Sequence, residues 1–360
     1  MPVLPHVRSH RPAALAASVL TLALLSGCAL GGSSEDQTAA GTKKVLVATH
    51  DSWAMSKDVL REFTQETGYT VQVLPSGDAG ALTNKLVLTK GDPIADMVYG
   101  IDNTFVSRAV DEGVLTPYTP SDNPGAAFEP KGAAAAEQVT PVDYSDVCVN
   151  VDDAWFKKEG LRPPRTFEDL TLPAYRDLFV TPGPPTSSPG LAFLAATVAK
   201  FGDDGWQAYW KKLLANGAKV TAGWSDAYEV DFTAGGGNGD RPIVLSYASS
   251  PPFTIPEGGT TPTTSALLDT CFRQVEYAGV LDGAKNPAGA KAFIDFMLGK
   301  DFQEALPDNM YVFPVNPDAK LPELWAKWAV PAKNPWSLPE SEIARQRDDW
   351  LQAWADLAGR

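Results

Sequence analysis

The stretch GWSDAY, residues 223–228, sets an indole, a hydroxyl, a carboxylate and a phenol side by side, and HDSWA at 50–54 offers nearly the same set. Related groups recur just beyond other strand-like runs. Asp78 and Ala79 follow one, Ser187 and Ser188 precede a helix near Pro189, and Tyr247, Ala248, Ser249 and Ser250 end IVLSYASSP. Hydroxyls and backbone N–H groups at a helix start suit an anion or the polar edge of a ring. Any one Trp or Tyr near a strand end is as consistent with packing at a core rim. Their recurrence at successive strand ends is what points to a ligand crevice, because open α/β sheets bind solutes beyond the carboxyl ends of their strands.

Catalytic candidates are few. The chain has three histidines, of which His6 and His10 fall in the leader, so a His-based zinc site or a Ser-His-Asp hydrolase would have to be built on His50. No G-x-S-x-G, H-E-x-x-H or C-x-x-C pattern supports either, and the phosphate loops G-x-x-x-x-G-K-[ST] and G-x-G-x-x-G are missing. GGGNGD at 235–240 has the wrong spacing for a calcium loop and reads as a turn. The acid pairs Asp152–Asp153 and Asp348–Asp349 read as helix caps or solvated faces. No metal site and no cofactor is expected. An acid–base pair of His50 and Asp51 in a secreted enzyme would lack a nucleophile or metal to work with.

The elements that must position these groups begin after a leader. Arg8 and Arg11 precede an apolar run ending in LLSGC, with no acid before Cys28, which is a signal peptide over residues 1–27 and not a membrane span. Residues 28–42 are too poor in apolar side chains to fold and form a tether. The formal charge of −14 becomes −16 once Arg8 and Arg11 are removed, a surface that repels nucleic acid and favours cationic solutes. The remaining body of about 320 residues is long enough for two α/β lobes. Its two cysteines, Cys148 and Cys271, are expected to pair in an exporting compartment, the alternative being two separately buried thiols.

Strands and helices alternate from the start: KVLVAT at 44–49, an amphipathic helix over 56–68, YTVQVL at 69–74, a helix in AGALTNKLVLTK and a strand in ADMVYG. This β-α-β-α-β opening implies a mostly parallel sheet covered by helices. Residues 139–152 read as a strand pair or one long crossing strand, helices are expected near 153–160, 166–172, 190–201 and 203–215, and FRQVEYAGVL at 272–281 is a further strand. Two short helices and a Trp-rich helix near 339–358 close the chain.

At the level of combined segments the sequence resembles the substrate-binding proteins of ABC importers, and their thiamine-binding branch in particular. The segments are THDSWA (49–54), DMVYGIDNTFVSRAVDEGVL (96–115), PVDYSDVCVNVD (141–152), TSSPGLAFL (186–194), GWSDAY (223–228), VLSYASSP (244–251) and FPVNP (313–317). LLSGC is likewise similar to the lipobox in which the cysteine, here Cys28, is lipidated. The resemblance implies a two-lobed α/β fold of the type II-like periplasmic-binding-protein kind, with the ligand cleft between lobes. Lobe one would comprise 43–145 with 272–360 and lobe two 146–271, crossing near Cys148 and Cys271. It further implies an extracytoplasmic, membrane-anchored receptor that delivers thiamine or a thiamine phosphate to a permease. The implied contacts fall on Asp78, Ala79, Ser187, Ser188, Trp224 and Tyr247 through Ser250, with Asp51 or Asp78 as the anion for the thiazolium. Where the family carries a tyrosine this chain has His50, and where it carries a tryptophan this chain has Tyr311. Both keep a flat ring, but a protonated His50 would disfavour a cation, so binding is expected to weaken toward pH 5.5. The same fold could instead hold ferric iron, a polyamine or a pyrimidine precursor. Iron would want adjacent tyrosines where SYASSP offers one.

Overall fold

The computed structural model describes residues 43–359. The leader, Cys28 and the tether lie outside the described residues. Strands are numbered β1 (Lys44–Thr49), β2 (Thr70–Pro75), β3 (Met97–Asp102), β4 (Leu115–Thr116), β5 (Thr140–Asp152), β6 (Phe179–Pro182), β7 (Lys219–Thr221), β8 (Ile243–Tyr247), β9 (Thr264–Ala266), β10 (Phe272–Leu281) and β11 (Phe313–Pro314).

The first helix shows how closely local chemistry dictates the chain. Ser56 accepts the Val59 N–H at 3.3 Å, Gly68 ends the helix at φ 75° where a side chain would be strained, and Phe63 is its buried residue. Phe63 packs edge-on to Phe293, at 4.9 Å between centroids, so the helix is held against the C-terminal part of the chain. Parallel pairing of β1 with β2 and β3 follows from the two intervening helices, which carry the chain back over the sheet.

All the strands join one sheet of order β2-β1-β3-β10-β5-β8-β6-β7, with β4, β9 and β11 attached at its middle. The N-terminal half of β5 pairs antiparallel with β10, and its C-terminal half pairs with β8 and β9. The 139–152 segment is therefore one long strand that passes from one half of the sheet to the other. Cys148 lies in β5 and Cys271 immediately before β10, their Cα atoms 4.2 Å apart and their sulfurs at bonding distance. The C-terminal helix Glu340–Ala358 sets Trp354 edge-on to Trp210, while its Arg347 Nη1 reaches the Ser107 hydroxyl at 3.4 Å. It thus makes contact with both halves.

One expectation changes. The helix expected at 166–172 is two 3₁₀ turns, Asp169–Thr171 and Pro173–Tyr175, because Pro173 has no N–H with which to continue a helix. Within and after GWSDAY, Asp226–Asp231 winds as a π-helical turn closed by the Phe232 N–H on the Ala227 carbonyl at 3.0 Å. Such i→i+5 turns leave no periodic trace in sequence.

Candidate functional site

Four segments from the first half of the chain and its C-terminal part meet three from 188–253 around one cavity of about 170 Å³. His50 and Ser52 follow β1, Asp78 and Ala79 open helix Ala79–Leu88, Glu276 comes from β10, and Asn309 to Val312 end helix Lys300–Met310. Opposite them stand Ser188 and Pro189, Trp224, Tyr228 and Glu229, then Tyr247, Ser250 and Phe253.

Helix Ser188–Phe201 begins at the cavity wall. Its cap Ser187 accepts the Gly190 N–H at 3.4 Å, and Gln274 of β10 donates its amide to the Ser188 hydroxyl at 2.9 Å. That leaves the Ser188 O–H free to donate into the cavity. The π-helical turn brings Tyr228 back beneath Trp224, with rings 4.9 Å apart and 14° from parallel. The indole Nε1–H donates to Ser246 Oγ at 3.0 Å, and Ser246 in turn lies 2.8 Å from Ser250 Oγ, so a buried hydroxyl chain fixes the ring plane. Tyr247 is tilted beside the same indole at 6.2 Å. On the facing side Tyr311 is held at φ 55°, a left-handed conformation uncommon for a residue with a side chain, and its ring meets Phe253 edge-on at 4.9 Å.

The two sides touch directly. Asp78 accepts the N–H groups of Ala79 at 2.6 Å and of Trp224 at 2.9 Å, the second from across the cavity. Ala81 N–H donates to the Thr186 carbonyl at 3.0 Å. Gly80 permits this approach, since a Cβ there would lie 2.7 Å from the Thr186 carbonyl carbon. These contacts join the two sides of the cavity in this structure.

Acidic groups gather behind the cavity. The His50 ring lies with Nδ1 2.9 Å from Ser52 Oγ and Nε2 3.4 Å from Glu276 Oε1, an ion-pair distance longer than a well-formed hydrogen bond. Burial works against the charged imidazole, yet the charge and hydrogen bond of Glu276, with Asp78 and Asp51 adding theirs, outweigh it and raise its pKa. Burial likewise opposes the Glu276 carboxylate, but His50 and the donors around it hold its pKa below the ordinary value. The Tyr99 hydroxyl donates to Asp143, whose pKa burial and the Glu276 charge drive well upward. Asp102, paired across β3 and β10 with Glu276, is pushed up to about 7, mainly by burial, and its Oδ2 has no partner. Burial raises the Asp78 pKa more than its hydrogen bonds from Ser187, Trp224 and Ala79 lower it.

Of the residues singled out in the sequence, His50, Asp78, Ala79, Ser188, Trp224, Tyr247, Ser250 and Tyr311 line the cavity. Ser187, Ala248 and Ser249 stand one layer back, fully or almost fully buried, with Ser249 spent on Ser145 at 2.8 Å. Asp51 is exposed and not on the wall, its N–H donated to the Gly77 carbonyl at 3.0 Å. Asp78, the other acid expected to meet a cation, is committed to backbone donors. Tyr228, the phenol of GWSDAY, is on the wall too; the wall residues that sequence reasoning missed include the carboxylates Glu276 and Glu229 and the ring of Phe253. A signal for Glu276 existed: it is an acid in the middle of the otherwise largely apolar run VEYAGVL.

A sheet whose long strand β5 passes between its halves, with a cavity walled by both, defines a two-lobed solute-binding protein. The chain belongs to the bacterial extracellular solute-binding protein family, whose model matches residues 58–332. Its relatives include the thiamine-binding periplasmic protein of Brucella melitensis, 30% identical over 88% of this chain and 92% of that one. The protein of the same name from Escherichia coli is 29% identical over 88% of this chain and 94% of its own length. Among solved structures a periplasmic thiamin binding protein superposes with a TM-score of 0.76 at 26% identity, covering 88% of this chain and 96% of its own. A ferric binding protein from Campylobacter jejuni, at TM-score 0.67 and 17% identity over 87% of this chain and 99% of its own, shares the fold.

Proposed function

We propose that this solute-binding protein captures thiamine or a thiamine phosphate between its lobes and presents it to an ABC permease, performing no chemistry on it. One observation carries this: the cavity offers aromatic faces at Trp224 and Tyr228, stacked, and at Tyr247, tilted beside them, with a carboxylate whose pKa is held below the ordinary value, Glu276, on the opposite wall. A flat aminopyrimidine joined to a permanent cation needs both. A cation over a desolvated aromatic face gains about 0.5–2 kcal/mol, so charge pairing must supply more. The Ser188 and Ser250 hydroxyls are placed for a ring nitrogen or phosphate oxygen. The relatives' names and the extent of the alignment support the same ligand.

Ferric iron fits less well. It would need phenolate oxygens, whereas burial and the acids around Tyr247 drive its phenol pKa well above the ordinary value. Among the described residues no cluster of His, Cys, Asp and Glu is arranged for a metal. A polyamine would want more acids along the wall than Glu276, Asp78 and Glu229.

The lobes are drawn as 43–145 with 272–360 and 146–271, the C-terminal helix bracing both; a disulfide between Cys148 and Cys271 would tie the crossing strands. Cys28 would carry the lipid that anchors the mature chain outside the cell membrane. The ligand closes the lobes because it binds the shut form more tightly than the open one. Calorimetric titration of the chain with thiamine and its phosphates tests the assignment, and mass spectrometry of the N-terminus tests the anchor.

A further inference from the structure

The cavity wall, which carries no lysine or arginine among the described residues, holds one group able to become a cation, His50, against its one buried carboxylate not taken by backbone donors, Glu276; the other wall acids are Asp78 and the exposed Glu229. The ring is built in. Gly100 stands at φ 95°, and a Cβ there would come within 2.2 Å of His50 Cδ2, so the strand β3 leaves the space the imidazole fills. Ser52 holds Nδ1, and Tyr99 tilts against the ring at 5.7 Å. The remaining acids near the pair are otherwise engaged. Asp78 takes two backbone N–H groups, Asp143 takes the Tyr99 hydroxyl, Asp102 takes three donors from Thr104 and Phe105 on its Oδ1, and Asp51 is exposed. Tyr247 adds a phenol on the β8 side.

The geometry points to cation capture by proton exchange: in the empty cleft a protonated His50 neutralises Glu276, and an entering organic cation takes over that carboxylate while the imidazole gives its proton to solvent. This rests on the proposed cationic ligand. The balance is one proton released for one ligand cation bound, with no covalent step. Two cations cannot share one buried carboxylate without one lacking a partner, and the imidazole is the one able to lose its charge. His50 thereby acts as a specificity-determining residue, neutralising Glu276 until the ligand enters and setting the affinity by pH.

The sign follows from linkage. A ring whose pKa is raised in the empty protein and lowered beside a bound cation makes binding tighter as pH rises, by about tenfold per pH unit between those two pKa values, and flat above the upper one. The test has two readouts. NMR titration of the imidazole, assigned by the resonance lost in H50Q, should show a ring still charged at pH 6 in the ligand-free chain and neutralised by saturating thiamine. Calorimetry at pH 6 in two buffers of different ionisation enthalpy should show about one proton released per thiamine, falling to none near pH 9; H50Y and H50Q should bind with no release and a flat pH profile. E276Q should lower the ring's titration midpoint by a unit or more. A ring already neutral at pH 6 without ligand, or thiamine binding without proton release, would overturn the exchange and leave the ligand assignment standing. Absence of thiamine binding at every pH refutes the ligand, and the exchange with it.

Discussion

Removing the indole of Trp224 separates recognition of the ligand from mere closure of the lobes. In Trp224→Ala the backbone N–H that Asp78 accepts from across the cavity at 2.9 Å is kept, so the interlobe hydrogen bond survives. What goes is the face between Tyr228, stacked at 4.9 Å, and Tyr247, tilted at 6.2 Å, along with the Nε1–H bond to Ser246. The lost terms are a cation–π contact of roughly 0.5–2 kcal/mol and an aromatic pair of roughly 0.5–1.5 kcal/mol. A central figure of about 2 kcal/mol corresponds to a roughly thirtyfold weaker Kd. Trp224→Phe, which keeps a face but not the N–H, should lose about a third of that. Titration calorimetry of the three proteins with thiamine, alongside thermal melts that show all three folded, reads the difference. A Kd within twofold of the parent for the alanine variant would remove the indole from the site and refute the aromatic basis of recognition.

Other consequences are as direct. Asp78→Ala removes the cap of helix Ala79–Leu88 and the bond to Trp224; stability should fall by about 1 kcal/mol and small-angle scattering with thiamine should show a more open molecule, whereas an unchanged scattering profile would mean the bond does not hold the lobes shut. Asp102→Asn probes the buried carboxyl pushed up to about 7. A folded-state pKa above the unfolded one contributes stability that is full below about pH 4 and lost as pH rises through 7. The urea midpoint of the parent should therefore decline over that range more than that of the variant, and parallel profiles would contradict it. The cysteine pair closes a sequence separation of 123 residues. By the loop-entropy account, Cys148→Ser should cost up to about 5 kcal/mol, and thiol counting on the unfolded, unreduced parent should find neither cysteine of the body free; two free thiols would refute the bridge.

Much of the framework was legible because it is local. Ser56, the apolar face around Phe63 and Gly68 state a helix with both its ends, and β10 occupies the residues its apolar run marks, Phe272–Leu281. Strand ends also led to His50, Asp78, Ala79, Ser188, Trp224, Tyr247 and Ser250 of the cavity wall, and the resemblance to the family led to Tyr311. What stayed hidden is what depends on long-range geometry. Glu276 looks like a strand residue until β3, β5 and the end of β1 bring Tyr99, Asp143 and His50 around it. Asp51, by contrast, sits beside His50 in sequence but is exposed in the turn that follows β1. The placement of Tyr311 requires a left-handed backbone that only the packed loop enforces. The π-helical turn that stacks Tyr228 on Trp224 has no sequence period to betray it.

The most direct measurement is calorimetric titration of the body that follows Cys28, stripped of ligand by unfolding and refolding, with thiamine, its mono- and diphosphate, spermidine and ferric citrate in parallel. A single saturable site of submicromolar affinity for thiamine or one of its phosphates, and no comparable heat from spermidine or iron, is the result predicted by a cavity of stacked aromatics facing Glu276. Tighter binding of spermidine or ferric citrate, or silence from every thiamine compound, would contradict it.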